Sequence, residues 1–386
     1  MSVTASTGFR VAGVTAGIKV SGAPDLALVV NDGPRDAAAA VFTRNQVKAA
    51  PVLWSQQVLT GRRLRAVVLN SGGANACTGP GGFQDTHATA ERAAAALGLD
   101  AIDVAVCSTG LIGERLPMAA VLSGVDVAAK ALDGGPQAGL DAATAVLTTD
   151  TVPKQAVVTS LAGWCVGGFA KGAGMVAPSM ATMLCVLTTD ADVDAFALDA
   201  ALRRATALTF DRLDIDGSCS TNDTVLLLAS GACGTPPQQE EFAAAVQQVC
   251  HELASGLQAD AEGVTKQIAI TVRGAAGEDD ALVAARAVAR DSLVKTAFFG
   301  SDPNWGRIAA AVGASPAAVT ADTLDVRING VLLCSGGAVA GDRAAADLSG
   351  REITVEIDLH LGDGAATVLT TDLSHGYVDE NSAYSS

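Results

Sequence analysis

Aromatic side chains are scarce in this sequence: Phe, Trp and Tyr together make up 4% of its 386 residues. An interior short of rings must be filled by Ala, Val and Leu, whose small side chains let helices and strands approach closely. Basic residues are outnumbered too, 25 against 41 acidic ones, for a formal charge of −16. That field repels phosphate backbones and anionic lipid surfaces, so no nucleic acid and no membrane is expected as a partner. An anionic substrate would have to be met by locally placed Lys, Arg or backbone N–H groups. The eight cysteines include no C-x-x-C pair, which removes zinc-site and dithiol redox spacings and leaves buried free thiols as the expectation. No apolar run reaches 18 residues, and residues 1–20 lack a basic stretch followed by a long apolar one. A cytoplasmic, reducing location is expected. The four histidines, His87, His251, His360 and His375, stand in no H-E-x-x-H or G-x-S-x-G context, which disfavours histidine catalysis.

What the chain does have is core material, 49% hydrophobic against 17% charged residues, in a length that exceeds the usual single core. One large domain or two packed ones are expected. Residues 65–69 and 104–107 read as buried strands, each ending in a Gly-containing polar turn, with an Ala-rich helix over 86–97 between them. Further helices are expected over 242–257 and 280–289, and strands over 266–272 and 353–359. The pattern is a mixed α/β (α+β) one without a repeat. The segment 234–239, Gly-Thr-Pro-Pro-Gln-Gln, is the best candidate for an exposed linker.

The most informative segment runs from Lys171 to Asp190. Gly172, Gly174 and Pro178 mark a loop, and residues 183–187 form an apolar, partly β-branched run, so a flexible approach delivers Thr182 to a strand end. Thr182 either starts that strand or acts as a nucleophile. The second role requires cleavage of the Ala181–Thr182 bond, which frees an α-amine to serve as the adjacent base. The cut would divide the chain into 1–181 and 182–386, which would stay associated if both contribute strands to one core.

Other clusters have weaker signals. Residues 70–82, rich in Gly and Asn, follow a strand and precede a helix, but they match neither G-x-x-x-x-G-K-[ST] nor G-x-G-x-x-G. Ser108-Thr109-Gly110 also ends a strand, and a hydroxyl beside a glycine N–H gives two donors for one carbonyl oxygen. The acids of 214–224 fail the EF-hand spacing and read as a hydrogen-bonded loop rather than a metal site. Polar clusters at 262–266 and 301–307 could each bind a zwitterion, for which Lys171, Asn381 and Glu262 supply the needed charges and amide.

Taken in order, 70–79, 108–113, 148–154, 171–190, 216–224, 262–266, 301–307 and 380–386 resemble the ornithine acetyltransferase family of arginine biosynthesis, nearly end to end. The resemblance implies a self-processing fold of stacked sheets and helices with an N-terminal threonine nucleophile. It implies cleavage between Ala181 and Thr182, and α chains 1–181 and β chains 182–386 assembling as an α2β2 heterotetramer. It implies acetyl transfer from N-acetylornithine to glutamate, in some members also from acetyl-CoA, without a metal or other cofactor. By position, Thr182 resembles the nucleophile, Thr109 and Gly110 the oxyanion pair, and Thr148, Lys171, Glu262, Asn381 and Ser386 the substrate contacts. Many relatives carry threonine where Ser386 stands; either supplies a hydroxyl. A self-processing aminopeptidase or amidase would use the same nucleophile with water as acceptor, and a small-molecule binding protein would leave the chain uncut.

Overall fold

Unbroken apolar runs become central strands here. Leu26–Asn31 (β2) and Ala66–Asn70 (β4) are buried at every position, as strands covered on both faces must be. Flanked by Phe9–Val14 (β1) and Val104–Ser108 (β5), they form a four-stranded sheet of order β1-β2-β4-β5. β4 and β5 are the strands expected at 65–69 and 104–107. They run parallel, so both end at the same edge with Asn70 opposite Ser108.

A second sheet is built from Ala37–Phe42 (β3), Lys154–Thr159 (β6), Cys165–Lys171 (β7), Leu184–Thr189 (β8) and Thr224–Ala229 (β9), in the order β3-β9-β8-β7-β6. Helices Ala50–Val58 (α1), Gly79–Leu97 (α2), Met118–Lys130 (α3) and Pro136–Ala145 (α4) pack against the first sheet. One apolar cluster joins them to that sheet and to Phe169, Leu184, Val186, Leu226 and Leu228 of the second. Ala195–Leu208 (α5) packs against β3 and β9, and Gln239–Ala259 (α6) brings Cys250 near Cys185 of β8. α2 starts seven residues before the expected helix: Pro80 sits in its first turn, where a fixed φ suits the helix and the missing N–H costs nothing. The end of the glycine-rich segment is therefore helix, not loop.

A third sheet has the order β13-β12-β11-β14-β10-β15, its strands being Gln267–Ala275 (β10), Asp325–Ile328 (β11), Val331–Ser335 (β12), Ala338–Val339 (β13), Glu352–Asp358 (β14) and Gly364–Thr371 (β15). β14 buries Ile353, Val355 and Ile357 while the alternate positions face outward, the period-2 pattern of a one-sided strand. Glu278–Arg290 (α7) covers β10 and β15 with Ala281, Ala284, Ala285, Val288 and Ala289, a stripe at helical spacing. Ser292–Phe299 (α8), Trp305–Ala314 (α9) and His375–Ala383 (α10) complete this part.

This computed structural model describes residues 2–177 and 183–383, which fall into two compact units: 2–211 with 218–257, and 212–217 with 258–383. The first two sheets belong to one unit and the third to the other. The segment 234–239 lies inside the first unit between β9 and α6, so it is a surface connection and not a domain linker. Nor do the fragments 1–181 and 182–386 coincide with the units. β7 and β8, on either side of the candidate cleavage point, are antiparallel neighbours with Lys171 opposite Leu184. Among the described residues no helix is long and apolar enough to cross a membrane. All eight cysteines are free; five are buried as expected, but Cys77 is exposed and Cys219 and Cys233 are half-buried.

Candidate active site

The parallel ends of β4 and β5 build the first half of the site. Ser108 Oγ donates to Asn70 Oδ1 (2.6 Å), Thr109 N–H to Asn70 O (3.0 Å), and Gly73 N–H to Thr109 O (3.0 Å). These bonds lock the two turns together and leave Gly110 at φ +129°, a conformation open essentially to glycine. A Cβ there would also lie 2.5 Å from Gly73 N, so the close approach needs glycine twice over. The Gly110 N–H donates to no acceptor among the described residues.

The second half comes from the end of β7. Lys171 is 1% exposed, and its Nζ donates to Thr148 Oγ1 (2.7 Å) and Thr109 Oγ1 (3.3 Å). An ammonium has only protons to give, so Thr109 Oγ1 must accept, which leaves its own O–H to donate elsewhere and polarises it for that task. The structure thus brings the expected oxyanion pair, Thr109 and Gly110, together with two of the expected substrate contacts, Thr148 and Lys171. The sequence reading missed the residue that holds them. Asp150, buried, lies with Oδ2 3.6 Å from Lys171 Nζ, accepts from Lys154 Nζ (2.6 Å) and Gly172 N–H (2.6 Å) on Oδ1, and takes Thr148 N–H on Oδ2 (3.2 Å). Burial alone would push its carboxyl up, but the charges of Lys171 and Lys154 and their hydrogen bonds outweigh it and hold the group down at about 2. Burial likewise pulls Lys171 down while Asp150 counters it. The clue was in the sequence: Asp150 and Lys154 stand four apart within the 148–154 segment.

In the other unit, Asn381 Nδ2 donates to Glu262 Oε2 (2.9 Å) and to Tyr377 O (3.0 Å), so these two predicted contacts are also brought together. Gly263 permits it, with φ +61° and no room for a Cβ against Tyr377 N at 2.0 Å. Ala181, Thr182 and Ser386 lie outside the described residues. The remaining clusters have local duties. Lys266 Nζ donates to three carbonyls, those of Leu348, Ser349 and Gly350, and Asn304 caps α9 through Arg307 N–H, so neither polar cluster gains a ligand-facing cation or amide from them. In the 70–82 segment, Asn75 Nδ2 is spent on Gly82 O and Thr86 Oγ1.

A polarised hydroxyl and a backbone N–H side by side, backed by a buried ammonium, are the kind of donors that acyl transfer requires. The chain belongs to the ArgJ family, whose pattern matches residues 10–386. It is 66% identical over its whole length to the "Arginine biosynthesis bifunctional protein ArgJ" of Mycolicibacterium paratuberculosis, covering 96% of that protein. To the protein of the same name from Streptomyces coelicolor it is 59% identical, with both chains fully covered. Among solved structures it is similar to the "Arginine biosynthesis bifunctional protein argJ" of Bacillus halodurans, with a TM-score of 0.50 and 35% identity, over 52% of this chain and 98% of that one.

Proposed function

We propose that this chain moves its acetyl group through Thr182, with Thr109 and Gly110 as the oxyanion pair. The activity is that of an arginine-biosynthesis acetyltransferase, which transfers acetyl from N-acetylornithine to glutamate and yields ornithine and N-acetylglutamate. The observation that carries the mechanism is the Lys171–Thr109 hydrogen bond beside the Gly110 N–H, which puts two donors on adjacent residues at one strand end.

In the precursor, the Thr182 hydroxyl attacks the Ala181 carbonyl, the peptide C–N bond breaks, and water hydrolyses the resulting ester. Residues 1–181 and 182–386 then remain as paired chains. The coverage of the Bacillus halodurans structure supports this, since a solved chain matched almost throughout spans only half of the present one. In the mature enzyme the freed α-amine takes the hydroxyl proton, the oxygen attacks the acetyl carbonyl, and Thr109 O–H with Gly110 N–H meets the developing oxyanion. Ornithine leaves, and glutamate attacks the acetyl-threonine ester. Thr148, Lys171, Glu262, Asn381 and Ser386 hold the substrates, the zwitterion's carboxylate calling for the cation and amides and its ammonium for Glu262. Assembly as α2β2, a cytoplasmic setting, the use of acetyl-CoA as a second donor and independence from any metal or cofactor belong to the same reading. The bifunctional name shared by the relatives supports the acetyl-CoA half-reaction.

Glutamate distinguishes this reading from an amidase. Added to enzyme and N-acetylornithine, it is expected to accelerate ornithine release with parallel double-reciprocal lines. Unchanged release with free acetate as product would show water to be the acceptor. Removing one donor, in Thr109→Ala, is expected to lower kcat by about 10²–10³. Near-normal turnover in that variant would remove Thr109 from the oxyanion role.

A further inference from the structure

The acidic segment that precedes β9 has no part in the mechanism so far, yet it grips both halves of the chemistry in the first unit. Asn222 Nδ2 donates to Ala74 O (2.6 Å) and Ser108 O (2.8 Å), the latter carbonyl belonging to the peptide bond that leads into Thr109. The next residue, Asp223, accepts the Met183 N–H on Oδ1 (3.0 Å), and Thr224 N–H donates to Met183 O (3.1 Å). Three consecutive residues therefore fasten the oxyanion turn on one side and both backbone polar groups of Met183 on the other. The Met183 nitrogen is the amide of the Thr182–Met183 bond. Asp223 is fully buried.

We propose that Asp223 is a positioning residue for both self-cleavage and acetyl transfer, holding the Met183 backbone, one residue past Thr182 in the sequence, to the same segment with which Asn222 fixes the oxyanion turn. The inference rests on Thr182 being the nucleophile. Burial pushes the Asp223 carboxyl well above the usual range, against the pull of the Met183 N–H, of Ser220 and Thr43, and of the Lys171 charge on β7. Lys171 is itself bound to Asp150. What Asp223 gives Met183 is an acceptor oxygen, and the amide of asparagine keeps one at nearly the same size.

The test follows from that equivalence. Cleavage is timed by intact mass, and kcat and KM are measured on the matured protein from mildly acidic to mildly alkaline pH. Asp223→Asn is expected to cut itself and turn over close to wild type across the range. Asp223→Ala is expected to lose about 100-fold in both cleavage rate and kcat, the scale of a small misplacement of reacting groups, with KM little changed. Equal crippling of the two variants would show that a charged carboxylate is needed, and normal behaviour of Asp223→Ala would show that the residue positions nothing; either overturns the proposal. Should Asp223→Ala fail to fold, the pH profile of Asp223→Asn still decides, because loss of activity there contradicts a role filled by an acceptor oxygen. A cut Thr182→Ala chain would instead overturn the nucleophile and leave the Met183 contact as a plain structural one.

Discussion

Thr182→Ala is expected to yield one uncut polypeptide with essentially no acetyl transfer, where the wild type separates on denaturing electrophoresis into residues 1–181 and 182–386. The mutation removes the nucleophile of both reactions at once. Without it no ester forms at Ala181, no α-amine is released, and the oxyanion donors have nothing to stabilise. Loss of a nucleophile in a concerted site costs on the order of 10⁶ in turnover. Intact mass checks the cut to the residue, and Thr182 should be the amino-terminal residue of the second fragment. A wild type that stays whole would leave Thr182 without its base and point to a chain that binds small molecules uncut. Clean cleavage in Thr182→Ala would place the scissile bond, and the nucleophile, elsewhere.

Asp150→Ala is expected to be the most damaging substitution in the described part of the site. Its carboxylate is fully buried against Lys154 at 2.6 Å and Lys171 at 3.6 Å, and its loss leaves two buried ammoniums without that counter-charge. Removing one partner of a buried pair typically costs about 3–5 kcal/mol. Urea unfolding should register this, and activity should fall as well, because Lys171 loses the group that holds it on Thr109. The pH dependence has a definite sign. Asp150 titrates at about 2 in the folded chain, below the value of roughly 3.9 for an unfolded aspartate. Its stabilisation is therefore complete above the unfolded value and is lost as pH falls toward 2. The acid limb of the stability curve should be shallower in the variant. Wild-type stability with an unaltered acid limb would mean that Lys171 and Lys154 are satisfied without Asp150.

Local patterns carried much of this structure. Buried strands with unbroken apolar runs, such as β4 and β5, and helices with a regular apolar stripe, such as α7, could be placed within a few residues. The Ser108–Gly110 turn could be singled out because a strand end with a hydroxyl and a glycine has a chemical meaning of its own. Long-range bonding could not. That Asp223 reaches Met183 is decided by β8 and β9 running side by side in the second sheet, and that Asn222 reaches Ser108, 114 residues away, by the approach of that sheet to the end of β5 in the first; spacing along the chain says nothing of either. The helix start at Gly79 was missed for a different reason. Glycines suggest turns, but Pro80 outweighs them at a helix start. Glu262 and Asn381 could each be named as a zwitterion contact from their chemistry, but their hydrogen bond to one another, across 119 residues, could not.

The pairing of β7 with β8 has a consequence for how the enzyme must be handled. Before the cut these strands are two arms of one chain, brought together at the modest entropic cost of closing a short loop. After the proposed cut they would belong to different chains, and re-forming the same pairing would become a second-order event at the mercy of concentration. The matured protein would thus be held together by its barrier to unfolding rather than by a reversible balance. Its uncut Thr182→Ala counterpart should refold from urea where the mature enzyme, once dissociated and diluted, does not. Proteolytic maturation would set a direction in time: the sequence folds once, as a precursor, and then discards the connection that made folding easy.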